Sequence, residues 1–269
     1  MVMNKILVTG AKGLVGRNLR SAWAAKGDAV TWSDLLPDGG GAGRYVQADL
    51  ADRAAVDALV QGIDVIVHLG GISREGSWPD LLASNIEGTY NLYDAARLAG
   101  VKRVIFASSL HVTGFYGVDD VLDPLAPPRP SNLYGVTKSF GEALARYYFD
   151  KFGIEGLVVR LGTFGTEPNS ERMLHTWISD ADFAAMLEQA IAMDRLGFQQ
   201  LYGVSDNDGR WWQNPADSLG GWRPKDNSAA WREALAPTAL DRARPEGRFQ
   251  GGIFTSDPHF DDEAKDAEG

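Results

Sequence analysis

Three glycines, Gly10, Gly13 and Gly16, stand between an apolar run, Ile6–Thr9, and a segment of helical period that begins at Leu14. This order constrains the fold more than any other feature of the chain. The glycines permit a tight turn and a close backbone approach, and the helix behind them presents unpaired N–H groups. A pyrophosphate suits such a loop, with Gly10, Gly13, Leu14, Val15 and Gly16 as its expected cradle. A tight structural turn is the plainer use of the same glycines. The strand–loop–helix order is what favours the dinucleotide site.

The rest of the first half repeats the rhythm. Apolar runs of strand length at Ala29–Ser33, Tyr45–Gln47, Asp64–His68, Val104–Ala107 and Gly156–Arg160 alternate with helical segments near Leu14–Ala25, Arg53–Val60, Leu81–Ala99 and Lys138–Phe152. Short β-branched runs between helices point to an α/β fold, a doubly wound, Rossmann-like parallel sheet covered on both faces. After Arg160 glycine, proline and tryptophan become frequent, and a helix near Asp182–Asp194, a strand at Gln200–Val204 and a helix near Ser228–Leu235 are expected. The expected organisation is a nucleotide-binding core with the catalytic residues over 1–165, a small C-terminal lobe over 166–254 for substrate, and a flexible acidic tail over 255–269.

Composition excludes several functions. The net charge of −10 argues against nucleic acid, whose phosphates need a basic surface. Half of that excess lies in the tail, where residues 255–269 carry six carboxylates against Lys265. No apolar run is long enough to span a membrane, and Lys5–Thr9 leaves no room for a signal peptide, so a cytoplasmic protein is expected. With no cysteine and four histidines that never pair at helical spacing, a metal site is not expected.

Asp34 closes the second strand. A carboxylate there accepts hydrogen bonds from an adenosine ribose and repels a 2′-phosphate, and neither Leu35 nor Leu36 offers that phosphate a cation. The expected cofactor is NAD. Tyr134 and Lys138 lie one helical turn apart. The phenol of a tyrosine has a reference pKa of about 10, and a facing ammonium favours the phenolate, so Lys138 is expected to lower it. Ser109 ends the fifth strand at the carboxyl edge of the sheet, where it could hold a substrate oxygen while Tyr134 takes the proton. A serine at such a place is otherwise a turn or cap residue.

Ser109, Tyr134 and Lys138, in this order behind the glycine loop, resemble the extended short-chain dehydrogenase/reductase superfamily over essentially the whole chain. Further segments narrow the resemblance to uronate dehydrogenases: His68–Ser73, Asn85–Tyr93, Tyr148–Gly153, Arg172-Met173-Leu174 with Thr176-Trp177, Trp211-Trp212, Lys225-Asp226-Asn227 and Arg248–Gly252. That family oxidises C1 of galacturonate or glucuronate to an aldarolactone with NAD. The resemblance implies that Asp49 and Leu50 meet the adenine, that Leu69, Gly70 and Gly71 border the cofactor, and that Asn85 holds a backbone-bound water. It also implies that Ser73, Ser109, His111 and Tyr134 line the sugar while Arg172 holds the C6 carboxylate through its fork of donors. The plain alternatives are a helix-capping Asp49, an Asn85 with local hydrogen bonds and a solvated Arg172. A small anionic sugar as partner and a homo-oligomeric assembly follow from the same resemblance.

Two positions depart from the family pattern. Leu110 stands where an asparagine is usual among the sugar contacts, and Thr163 where a serine is usual. Losing an amide that bonds a hydroxyl relaxes or redirects sugar choice. The runner-up is therefore a C1 dehydrogenase of another C6-anionic hexose, carrying phosphate or sulfonate. A nucleotide-sugar epimerase or dehydratase would need a larger C-terminal lobe, and a non-catalytic NAD-binding regulator would have no need of the intact serine, tyrosine and lysine.

Overall fold

The computed structural model describes residues 4–236 and 239–260. The expected strands all form: β1 (Ile6–Thr9), β2 (Val30–Asp34), β3 (Arg44–Gln47), β4 (Val65–His68), β5 (Arg103–Ser109) and β6 (Glu155–Leu161). Between them lie α1 (Leu14–Ala22), α2 (Arg53–Leu59), α3 (Trp78–Leu81), α4 (Gly88–Ala99) and α5 (Leu133–Phe152). Beyond β6 come β7 (Thr163–Phe164), α6 (Met173–Thr176), β8 (Trp177–Ile178), α7 (Asp180–Ala192), β9 (Phe198–Gly203), α8 (Arg232–Leu235) and α9 (Pro245–Arg248).

Seven strands pair in parallel in the order β3-β2-β1-β4-β5-β6-β9. The order reverses between β1 and β4, which opens a crevice at the carboxyl ends of the strands. Alternation along each strand decides which layer a residue joins. Ile6, Val8, Val65, Val67 and Ile105 face one side, with Leu19 of α1 and Phe183, Met186 and Leu187 of α7. Leu7, Ile66, Val104 and Phe106 face the other, with Val56 of α2, Leu92 of α4 and Ala145 and Tyr148 of α5.

The stretch after residue 165 is less separate than the sequence suggests. α7 packs in the first apolar layer, and β9 pairs with β6 from Gly156 to Leu161, so the strand completes the main sheet and the helix covers it. What stands apart is a smaller cluster of Leu110, Val118, Leu122, Tyr202, Val204, Trp211 and Trp212. Residues 261–269 of the acidic tail lie outside the described residues.

Two helices differ from expectation in ways that matter for the site. α5 begins at Leu133, before Lys138, because the Asn132 side chain accepts the Gly135 N–H at 2.8 Å and caps its first turn. Tyr134 therefore sits inside the helix, one turn before Lys138. The expected continuous helix Leu81–Ala99 contains a π-helical turn over Leu82–Glu87. Within it Asn85 points at the loop after β4, accepting the Ile72 N–H at 2.8 Å and donating to the Ile72 carbonyl at 2.9 Å.

Candidate active site

A cavity of about 1420 Å³ runs along the carboxyl ends of the strands. That exceeds the roughly 300–1,000 Å³ of a single small-molecule pocket and leaves room for two ligands. One half is built by the glycine loop. Gly10 has φ +73°, and a Cβ there would lie 2.6 Å from the Leu69 carbonyl carbon, so the loop and the end of β4 touch only because Gly10 has no side chain. A Cβ on Gly16 would collide with the Gly10 carbonyl oxygen. The first turn of α1 has no side-chain cap and no acidic residue, which leaves the amides of Leu14, Val15 and Gly16 free for an anion.

Asp34 stands on the same wall. Its carboxylate accepts the Lys12 N–H at 2.8 Å and the Leu36 N–H at 3.2 Å, which ties the glycine loop to the end of β2. Lys12 also lines this wall and is a cation, unlike Leu35 and Leu36. Asp49 accepts the Ala51 N–H at 2.9 Å and lines the cavity, whereas the cap of α2 is Asp52. Leu50 lies against Gly70, and the Gly70 N–H donates to Thr9 Oγ1 at 3.2 Å. Leu69, Gly70 and Gly71 line the cavity, but Asn85 does not. Asn85 is buried, bonds Ile72 and Thr137, and acts one step behind the wall by fixing the Gly71–Ile72 backbone. These features fit a dinucleotide such as NAD.

At the centre of the cavity are Ser109, Tyr134 and Lys138. The Lys138 ammonium donates to the Ala107 carbonyl at 2.9 Å and lies 4.9 Å from the Phe106 ring centre. Burial pulls Lys138 down to about 8. Tyr134 moves against the expectation: burial pushes its phenol up to about 12, and a hydrogen bond with Ser109 offsets only part of that. Desolvation of the phenolate outweighs its neighbours, because the ammonium is directed to Ala107 and sits 5.7 Å from the Tyr134 ring centre.

Behind this trio lies a buried ion pair that sequence reasoning missed. Arg160 donates from Nε and Nη2 to the two carboxylate oxygens of Glu142, both at 2.9 Å, and Ser108 donates to Glu142 at 2.6 Å. The signal was present: Tyr134, Lys138 and Glu142 recur every fourth residue and so share one face of α5. His68 is a core residue between Thr9 and Thr89, held neutral by burial and by the Lys138 charge, with its pKa down to about 3.

The other half of the cavity is lined by Ser73, Leu110, His111, Thr163 and Arg172. His111 meets Ser131 Oγ at 3.0 Å and packs its edge on Phe254, with ring centres 4.6 Å apart. Burial and the nearby Arg172 lower its pKa to about 3, so it is a neutral hydrogen-bonding group. Thr163 and Thr176 share a hydrogen bond of 2.8 Å. Leu110 is 4% exposed and joins the apolar cluster with Trp211 and Trp212. Arg172 is half-buried as a whole, and its Nη1 is shut off from solvent. Burial lowers its pKa to about 10, its face lies 5.2 Å from the Trp211 ring centre, and no carboxylate among the described residues pairs with it.

The segment Arg248–Gly252 explains how that guanidinium is seated. The Gln250 carbonyl accepts from Arg172 Nη2. The Gln250 side chain is clamped by Trp212 Nε1 at 2.8 Å and by the carbonyls of Gly117 and Asp120 at 3.0 and 2.9 Å. A Cβ on Gly252, which has φ +62°, would lie 3.1 Å from Arg172 Cζ. Asn169, Ser170, Glu246 and Phe254 also line this half and were not anticipated.

The family model described as the NAD dependent epimerase/dehydratase family matches residues 6–188. The chain is similar to a uronate dehydrogenase of Agrobacterium fabrum, with 46% identity over 96% of this chain and 99% of the relative. It is also similar to the solved structure of a mutant uronate dehydrogenase from Agrobacterium tumefaciens complexed with NAD, at a TM-score of 0.89, 45% identity and coverage of 96% and 99% of the two chains. A glucuronic acid dehydrogenase from Chromohalobacter salexigens superposes at a TM-score of 0.92, with 41% identity over 96% of this chain and 99% of that one.

Proposed function

The chain belongs to the NAD dependent epimerase/dehydratase family, and on that premise we propose that it is a uronate dehydrogenase, oxidising C1 of a hexuronate pyranose such as galacturonate or glucuronate to the aldarolactone with NAD. The observation that carries the substrate class is Arg172, a buried guanidinium with no carboxylate partner, in the same cavity as Ser109 and Tyr134. A sugar carboxylate provides the partner that the protein withholds.

Ser109 orients the C1 hydroxyl, and Tyr134 in its phenolate form accepts the hydroxyl proton and becomes the neutral phenol. Lys138, held by the Ala107 carbonyl, keeps a positive charge against the phenolate as it forms. The glycine loop and Asp34 would hold NAD, which when bound would supply the acceptor for the C1 hydride. His111, neutral, offers a ring nitrogen to the sugar, and Arg172 grips the C6 carboxylate. The ring oxygen remains bonded to C1, so the product leaves as a lactone. The Asp34 carboxylate favours NAD over NADP. The same reading makes this a cytoplasmic enzyme. Exposed apolar side chains on the adjoining helices α4 and α5, among them Leu98, Tyr147 and Phe152, support a homo-oligomer.

Leu110 favours a second reading, a dehydrogenase of another C6-anionic hexose, because it puts a side chain without hydrogen-bonding groups in the sugar half of the cavity. One assay separates the two. Purified protein is mixed with NAD, and separately with NADP, and reduced cofactor is followed with galacturonate, glucuronate, glucose 6-phosphate, sulfoquinovose and neutral hexoses. Turnover confined to phosphate or sulfonate sugars retires the uronate reading, and a several-fold preference for NADP retires the assignment to Asp34.

A further inference from the structure

Among the described residues four carboxylates line the cavity, and three of them have partners. Asp34 accepts from Lys12 and Leu36, Asp49 from Ala51, and Asp80 from the Ser77 hydroxyl at 2.6 Å. Glu246 is different. Its Oε2 is shut off from solvent and has no hydrogen-bond partner among the described residues. Arg172 Nη1 is in the same condition. Two groups of opposite charge thus line one cavity, each with an unsatisfied buried atom, and they do not pair with one another.

Glu246 is held where it is by its backbone. It lies in the first turn of α9, and a Cβ on the following residue, Gly247, would lie 2.5 Å from the Asp241 carbonyl carbon, so that turn is pressed against the preceding chain. Three and four residues later come the Phe249 ring, packed on Phe115, and the clamped Gln250 that receives Arg172. One short segment therefore seats the guanidinium and presents a carboxylate to the same space.

We propose that Glu246 is a specificity-determining residue that accepts a hydrogen bond from a ring hydroxyl of the sugar whose anionic end lies on Arg172. A buried carboxylate oxygen can only accept, so its complement is a donor. A second anion there would be repelled, and Arg172 already defines the anionic end of the ligand. A hydroxyl-rich sugar with a single acidic group supplies both complements. The inference rests on the C6-anionic sugar reading above, and it assigns to Glu246 a polar contact on a wall where Leu110 offers none.

The test uses Glu246→Gln, which keeps the shape and removes the charge, beside the wild type. Both are assayed on the favoured sugar of the panel above and on its 2-, 3- and 4-deoxy analogues, with NAD affinity and Tm measured in parallel. Glu246→Gln is expected to lower kcat/KM on the parent sugar by roughly 10- to 100-fold, with NAD affinity and Tm unchanged. One deoxy analogue should lose a similar factor in the wild type and clearly less in the variant, whose amide oxygen still accepts but carries no charge, because hydroxyl and carboxylate act as one contact. An unchanged kcat/KM, or an equal loss on the parent and all three analogues, overturns the proposal. If uronates are not turned over but another C6-anionic sugar is, the uronate reading falls and Glu246 is judged on that sugar. No turnover of any C6-anionic sugar overturns both.

Discussion

Arg172 donates to the backbone carbonyl of Gln250 and leaves its other terminal nitrogen, Nη1, buried without a partner among the described residues. A guanidinium with a buried nitrogen is ordinarily matched by a carboxylate, as the more deeply buried Arg160 is by Glu142. Gln250 supplies an oxygen but no charge, so the cation stays available to a ligand.

Replacing Arg172 with methionine separates binding from folding. Removing an unpaired buried charge is expected to leave Tm equal to or above that of the wild type, as hydrophobic replacements of buried charges often do. The same change should lower kcat/KM on a uronate by on the order of 10²-fold or more, since stranding a charged partner costs about 2–5 kcal/mol, and it should spare neutral hexoses. Unimpaired preference for the uronate in a well-folded Arg172→Met protein would remove the carboxylate grip.

Tyr134→Phe is expected to reduce kcat by roughly 10²–10⁴-fold, the usual contribution of a positioned acid–base group, with NAD binding nearly intact by fluorescence titration. The pH profile carries a second check. Burial holds the phenol up at about 12, so the phenolate grows with rising pH. Lys138, pulled down to about 8, keeps its helpful charge only below that value. Oxidation should therefore accelerate from pH 6 to 8 and level off above. A rate that falls across pH 6 to 8 contradicts the assignment.

Leu110→Asn tests the departure from the family pattern in two directions. The amide would enter an apolar cluster beside Trp211 and Trp212, and without a partner it should cost roughly 1–3 kcal/mol of stability. In the cavity it offers a donor and acceptor to a sugar hydroxyl and should raise kcat/KM on uronates. Lower uronate activity at unchanged Tm would reject this account of Leu110.

Two histidines make stability sensitive to mild acid. The fold holds His68 and His111 neutral down to about 3, whereas the unfolded chain protonates them near 6.5. The unfolded state binds more protons throughout that window, so their contribution is complete above pH 6.5 and is lost as pH falls toward 3, at up to about 1.4 kcal/mol per pH unit for each ring. Tm should drop between pH 7.5 and 5, and His68→Gln should flatten the slope by about half. A Tm independent of pH over that range would show that neither ring is held neutral.

Local rules made the first half of the fold legible. Glycine spacing and strand-length apolar runs are set by neighbours in sequence, and β1, the phosphate loop, Asp34 and Ser109 lie where those rules put them. What escaped the sequence depends on distant partners. Arg172 is buried because Gln250, 78 residues away, closes over it. Asn85 is turned from the cavity by a π-helical turn that periodicity does not reveal. The charged neighbour of the Tyr134 phenol is legible in the sequence, whereas the desolvation that dominates it arises only once Phe106, Ala107 and Ser109 surround the pair.

The edge strand β9 has one further consequence. The chain leaves the sheet at the end of β6, builds the sugar wall from Thr163 to Thr176, and returns through α7 to pair with β6 again. That stretch is therefore joined at both ends to the main sheet, while Gln250, which seats Arg172, comes from the chain beyond β9. Heating should reveal a single calorimetric transition, and proteolysis should release no fragment that keeps the dinucleotide half folded while the sugar half melts. A single transition would mark the two halves as one cooperative unit.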